Sequence, residues 1–171
     1  MRAAFLDRDG TIIRDVGYIN SPEFIRFLPF AIEGLEKLQD MGFSLFIVTN
    51  QSGIRRGYLS FERYREITKE LLLRLESHHI YIKDVVFCPD HPSERTGCRK
   101  PNPLMIRRLL NEYPAIELSR SFMIGDKESD VLTGLNAGMR AIRISPTNVQ
   151  TQAEFTAKNL LEAAIYIEEQ G

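Results

Sequence analysis

Ala3-Ala4-Phe5-Leu6-Asp7-Arg8-Asp9-Gly10-Thr11 opens the chain with a short apolar run that stops on two aspartates two residues apart. A run this short and this continuous suits a strand buried on both faces, as in a parallel sheet. Gly10 then permits a tight turn. Outward from this stretch, apolar runs of the same kind recur at 43–48, 85–87, 121–124 and 141–144. Helical patterns fill the gaps. Pro29 marks a first turn, Ile32, Leu35, Leu38 and Met41 follow at helical spacing, and Gly42 stops the element. Ser60 can cap a helix with Phe61, Tyr64, Ile67, Leu71 and Leu75 on one face. Pro101 begins another with Met105, Leu109 and Leu110 inward, Val131, Leu135 and Gly138 mark a fourth, and a last one is expected at 153–169.

Strand and helix in alternation imply right-handed crossovers and an α/β, Rossmann-like three-layer sandwich with a parallel sheet. In such sheets ligands bind beyond the carboxyl ends of the strands. The residues after each run should therefore converge: Asp7-Arg8-Asp9, Thr49-Asn50-Gln51-Ser52, Cys88 onward, and Asp126-Lys127. With 171 residues, 43% apolar and 26% charged, one domain spanning residues 1–171 is expected. A formal net charge of -1 supplies no basic face for nucleic acid or anionic lipid. No apolar run reaches the roughly 20 residues of a membrane span, and the first run is too short for a secretory signal. Two cysteines, Cys88 and Cys98, make no disulfide framework, so a cytoplasmic location is expected; acting together, they suit a metal as well as a bridge.

The converging groups have a shared chemistry. Asp7, Asp9 and Asp126 offer hard oxygen ligands with no histidine among them, which favours Mg²⁺. Thr49 offers a hydroxyl, Lys100 a compact charge and Arg99 a planar fork for phosphoryl oxygens. Each piece alone has a bland counterpart. Asp-x-Asp makes turns and caps, Thr49 could cap, Lys100 could be solvated, and Asp130 could be a first-turn helix charge. Four such pieces in order, each at a strand end, outweigh those readings.

The runs Phe5-Leu6-Asp7-Arg8-Asp9-Gly10-Thr11, Val48-Thr49-Asn50-Gln51-Ser52-Gly53, Arg99-Lys100-Pro101 and Gly125-Asp126-Lys127 resemble the four motifs of the haloacid dehalogenase superfamily. The chain is similar to its branch of heptose bisphosphate and histidinol-phosphate phosphatases, over about residues 3–145. Asp15-Val16-Gly17-Tyr18, Asn50-Gln51-Ser52-Gly53 and Gly125-Asp126-Lys127 look closer to the heptose enzymes. The resemblance implies Asp7 as nucleophile, Asp9 as general acid and base, and Thr49 and Lys100 on the phosphoryl oxygens. It implies Mg²⁺ on Asp7, the Asp9 carbonyl and Asp126. It also implies substrate contacts from Asp15, Gly17, Tyr18, Asn50, Gln51, Ser52, Arg99 and Lys127. A small phosphorylated sugar and a monomer are expected.

Two features refine that expectation. The branch carries a zinc loop of pattern Cys-x-His, then Cys-x-Cys, but here Asp90 and Thr96 stand at two ligand positions. Zn²⁺ could persist only on Cys88, Asp90, a displaced His91 and Cys98, and loss of the metal is favoured. The stretches from Gly10 to Asn50 and from Gly53 to Val85 leave no room for a cap domain, so the site should be open. Arg55 and Arg99 at its mouth suit a distal phosphate, whereas Arg56 reads as solvated loop charge. A phospho-acceptor signalling domain shares the carboxylates, Mg²⁺ and lysine. It has no use for a second aspartate beside the nucleophile, which serves turnover.

Overall fold

The computed structural model describes residues 1–94 and 97–171. Among the described residues the strands and α-helices follow in order: β1 (Ala3–Leu6), α1 (Ala31–Asp40), β2 (Ser44–Asn50), α2 (Phe61–Glu76), β3 (Ile82–Cys88), α3 (Leu104–Glu112), β4 (Phe122–Gly125), α4 (Glu128–Ala137), β5 (Arg140–Ile144), β6 (Phe155–Ala157) and α5 (Leu160–Glu169). The strands form one sheet in the order β3-β2-β1-β4-β5-β6, parallel at every pairing. Leu6 pairs with Ile47 on one side and Ile124 on the other, so the first aspartate motif emerges level with the ends of β2 and β4.

Alternation along the strands divides the core in two. Ala4, Leu6, Leu45 and Ile47 join the apolar residues of α1, α2 and α5 on one face. Ala3, Phe5, Phe46 and Val48 meet Met105, Ile106 and Leu109 of α3 on the other. Phe5 and Phe46 stack there with ring centroids 5.3 Å apart. Successive side chains point to opposite faces, so a central strand with helices on both sides must be apolar at every position. β1 is buried at all four. The three-layer α/β expectation holds.

Several local expectations are corrected. The predicted helix at 153–169 is β6 followed by α5, because Asn159 starts the helix by accepting the Glu162 N–H on Oδ1 at 2.9 Å. Neither Pro29 nor Pro101 lies in a first helical turn, since α1 begins at Ala31 and α3 at Leu104. Phe61 and Leu135 lie exposed, and Ile32, Met41 and Leu110 are half-buried, because each helix packs only a stripe against the sheet. Ser60 does cap α2, accepting the Arg63 N–H at 3.1 Å, and Gly138 ends α4 in a left-handed conformation.

α1 and α5 cross closely at Gly34, where an added Cβ would lie 2.5 Å from the Leu160 carbonyl carbon. Alanine there gains about 1 kcal/mol of helix propensity. It also forces the two backbones apart, an overpacking that costs about 1–3 kcal/mol. The second effect should win. Gly34→Ala is expected to destabilise the protein in urea unfolding, and a variant as stable as the parent would show that α5 yields freely.

Candidate active site

Asp7 leaves the end of β1 while its N–H still pairs with the Ile124 carbonyl at 3.0 Å. Its carboxylate meets those of Asp126 and Asp130, with one oxygen of each within 4.8 Å of the others. Two glycines make this approach feasible. A Cβ at Gly10, which also has a left-handed φ of 85°, would collide with the Asp126 carboxylate, and one at Gly125 would collide with Asp130. Lys100 anchors the group, its ammonium donating to Asp7 Oδ1 at 2.7 Å, Asp130 Oδ1 at 2.6 Å and the Val48 carbonyl at 2.9 Å. Burial alone would lower the Lys100 pKa; Asp7 and Asp130 outweigh it and hold the ammonium above the ordinary lysine range.

The carboxylates respond differently. Asp130 is bound on both oxygens, by Lys100 and by the Lys127 N–H at 3.0 Å, so it braces the cluster. Asp126 Oδ1 is buried with no hydrogen-bond partner among the described residues. Burial, then the Asp7 and Asp130 charges, push the Asp126 carboxyl up to about 7. A hard divalent ion fits this donor set: oxygen donors, an unsatisfied one among them, and excess negative charge. Asp7 and Asp126 are side chains that could hold it.

Asp9 turns its carboxylate from this cluster toward Arg8 and Gln51. Arg8, buried, donates from Nε to Oδ2 at 3.1 Å, and the Gln51 amide donates to Oδ2 at 3.0 Å and to Thr49 Oγ1 at 2.8 Å. Burial raises the Asp9 pKa, with Arg8 opposing. Since Thr49 Oγ accepts here, its own proton remains available to another oxygen. Asn50 accepts the Lys100 N–H on Oδ1 at 3.0 Å, tying the third motif to β2.

A cavity of about 270 Å³ opens over these groups, with Asp7, Asp9, Lys100 and Asp130 at its floor. Asp15, Gly17, Tyr18, Asn50, Gln51, Ser52, Arg99 and Lys127 line it, as do Asp130 and Ser129, the latter not anticipated. Thr49 and Asp126 lie outside its lining. Lys127 pairs with Asp15 at 3.4 Å across the mouth. Tyr18 packs where a Cβ on Gly53 would sit, and its ring lies 5.0 Å from that of Tyr58. Arg55 is not at the mouth: it pairs with Asp90 at 3.5 Å and Glu94 at 3.7 Å. A larger cleft of about 690 Å³ runs between α2 and β3, but it is mostly apolar and lies apart from the carboxylates.

In the cysteine loop the choice left open between bridge and metal falls to a bridge. Cys88 and Cys98 are joined in a disulfide. Asp90 is buried beside them and accepts the Cys98 N–H at 3.0 Å. His91 does not enter this group; its Nδ1 lies 2.8 Å from Ser93 Oγ. Among the described residues three groups gather, Cys88, Asp90 and Cys98, one short of a tetrahedral set, and bridged sulfurs are not thiolate ligands. Thr96 lies outside the described residues. Arg8 was missed as a site residue because alternation at a strand end does not say which way a side chain turns once the strand has ended.

A family model described as "HAD-hyrolase-like" matches residues 97–163. The D-glycero-alpha-D-manno-heptose-1,7-bisphosphate 7-phosphatase of Photorhabdus laumondii is 35% identical, over 98% of this chain and 97% of its own. The D-glycero-beta-D-manno-heptose-1,7-bisphosphate 7-phosphatase of Helicobacter pylori is 42% identical over 81% of this chain and 80% of its own. In three dimensions, D,D-heptose 1,7-bisphosphate phosphatase from B. bronchiseptica, crystallised with magnesium and phosphate, matches with a TM-score of 0.89 at 23% identity over all of both chains. Motifs, sheet order and these likenesses agree: the chain is a phosphatase and belongs to the haloacid dehalogenase-like family that holds the heptose-1,7-bisphosphate 7-phosphatases.

Proposed function

We propose that this phosphatase removes one phosphate from a D-glycero-D-manno-heptose 1,7-bisphosphate, with Mg²⁺ bound, in an open site on a single domain without a cap. The observation that carries the reading is the cluster of Asp7, Asp126 and Asp130 around buried Lys100, beneath a polar cavity. Asp7 attacks phosphorus through a carboxylate oxygen, forming an aspartyl-phosphate as the bond to the sugar oxygen breaks. Asp9 gives its proton to that departing oxygen. Water then attacks the aspartyl-phosphate, its proton passes to Asp9, and inorganic phosphate leaves with Asp7 restored. Lys100 orients the Asp7 carboxylate, and Thr49 donates its free proton to a phosphoryl oxygen. Asp7, the Asp9 carbonyl and Asp126 would hold Mg²⁺, which would supply positive charge against the transferring group.

The mouth supports a sugar with a second anionic group. Arg99 and Lys127 bring charge, Tyr18 a flat apolar wall, and Asp15, Asn50 and Ser52 hydrogen-bonding groups for hydroxyls. The relatives' named substrate is a bisphosphate of this kind.

Phosphate release should be fastest from heptose 1,7-bisphosphate, by roughly tenfold or more in kcat/KM over histidinol phosphate and hexose phosphates. Equal rates across the set, or a preference for histidinol phosphate, would overturn the substrate. Assay of both anomers extends the same screen. Asp7→Asn should cut turnover by a factor on the order of a thousand or more with the fold intact. Substantial remaining magnesium-dependent activity would refute the nucleophile.

The raised Asp126 carboxyl also predicts a pH dependence. Folded protein keeps this proton where the unfolded chain has lost it. Without divalent ions, stability from this group is therefore lost as pH rises from about 4 through about 7. Mg²⁺ competes with that proton, so it should raise the Tm more at pH 8 than at pH 6 in chelator-treated protein. An equal shift at both values would count against Asp126 as a ligand.

A further inference from the structure

Arg8 sits between the two aspartates of the first motif, yet only 3% of its side chain is exposed. A buried guanidinium is costly unless its donors are matched. Two of its three nitrogens are matched, mainly on one carboxylate, while Nη1 is buried without a partner among the described residues. Nε donates to Asp9 Oδ2 at 3.1 Å and Nη2 to Oδ1 at 3.2 Å, with Nη2 also 2.9 Å from Oδ2. Nη2 reaches the Gln51 Oε1 at 3.2 Å, and Gln51 returns its amide to Asp9 Oδ2 at 3.0 Å. Arg8, Asp9 and Gln51 thus close a ring, which Gln51 anchors to Thr49 in β2 at 2.8 Å.

A carboxylate offers about four lone-pair sites, two on each oxygen. Here the donors crowd Oδ2, which takes Arg8 Nε and the Gln51 amide and lies close to Nη2, while Oδ1 takes one. The free acceptor site is therefore on Oδ1. We infer that Arg8 is a positioning residue: with Gln51 it fixes the plane of the Asp9 carboxyl and leaves Oδ1 as the oxygen that exchanges protons with the leaving group and water. This rests on the reading of Asp9 as general acid and base. The planar fork matters, because an ammonium is a point charge that cannot fix the orientation of a carboxylate. Gln51 acts in the same ring rather than on the sugar.

A buried ion pair that merely braced the loop would, when broken, slow all substrates alike. A positioning pair would not. Protonation of the leaving oxygen matters greatly for a sugar alcohol and little for p-nitrophenolate, and kcat/KM reports phosphoryl transfer without the later hydrolysis of the aspartyl-phosphate. The test compares kcat/KM for the best sugar phosphate and for p-nitrophenyl phosphate in the parent, Asp9→Asn, Arg8→Lys and Gln51→Leu proteins, with thermal melts as a check of folding. General acid catalysis contributes about 10²–10⁴-fold, so Arg8→Lys should lose roughly tenfold or more in the sugar-to-nitrophenyl ratio, and Gln51→Leu should lose less in the same direction. If Arg8→Lys fails to fold, Gln51→Leu decides. An unchanged ratio in the folded Arg8 and Gln51 variants, while Asp9→Asn lowers it, overturns the positioning role alone. An unchanged ratio in Asp9→Asn overturns the acid assignment beneath it.

Discussion

One ammonium holds this site together. Lys100 Nζ bridges Asp7 and Asp130, residues 93 and 30 positions away along the chain, and reaches back to the Val48 carbonyl of β2. Without that charge, three carboxylates could not share so small and buried a volume, because like charges in a medium of low dielectric repel strongly. The lysine balances part of the excess and leaves the rest for a cation. Burial first, and then the charges of Asp7 and Asp130, press Asp126 toward its neutral form.

The backbone is arranged around that electrostatic problem. Gly10 and Gly125 are the points where chain and carboxylate come closest, and a side chain at either would displace an aspartate. β1 lies between β2 and β4, so the first motif emerges beside both neighbours at once. Its central place in the sheet explains why Asp7, the Thr49 hydroxyl and acidic groups from distant segments converge at one edge. Around this centre a second network, built on Arg8 and Gln51, orients Asp9 without sharing a partner with Lys100. Separating the two networks lets Asp7 and Asp9 sit two residues apart in different electrostatic surroundings.

Much of this was legible from residue order. Fully apolar strands, helical stripes and the Ser60 cap follow from short-range geometry, and the position of motifs at strand ends follows from the architecture of parallel sheets. β6 was not legible, because Phe155-Thr156-Ala157 is three residues long and only its pairing with β5 makes it a strand. Nor was the engagement of Arg55 by Asp90 and Glu94, since a loop arginine takes whichever carboxylate folding brings within reach. Proximity of Cys88 and Cys98 was an open choice between bridge and metal until the loop was folded.

The sequence by itself determined the alternation of strand and helix, the parallel sheet and the identity of the groups at its carboxyl edge. Hydrophobic period and strand-end position are properties of the local chain, so they can be read from it. The tertiary structure alone decided which oxygen each donor takes, that Gly34 lets α1 and α5 meet, and that Arg8 turns inward to Asp9. Those outcomes depend on side-chain directions set by packing among residues far apart in sequence, where a shift of about an ångström makes or breaks a hydrogen bond.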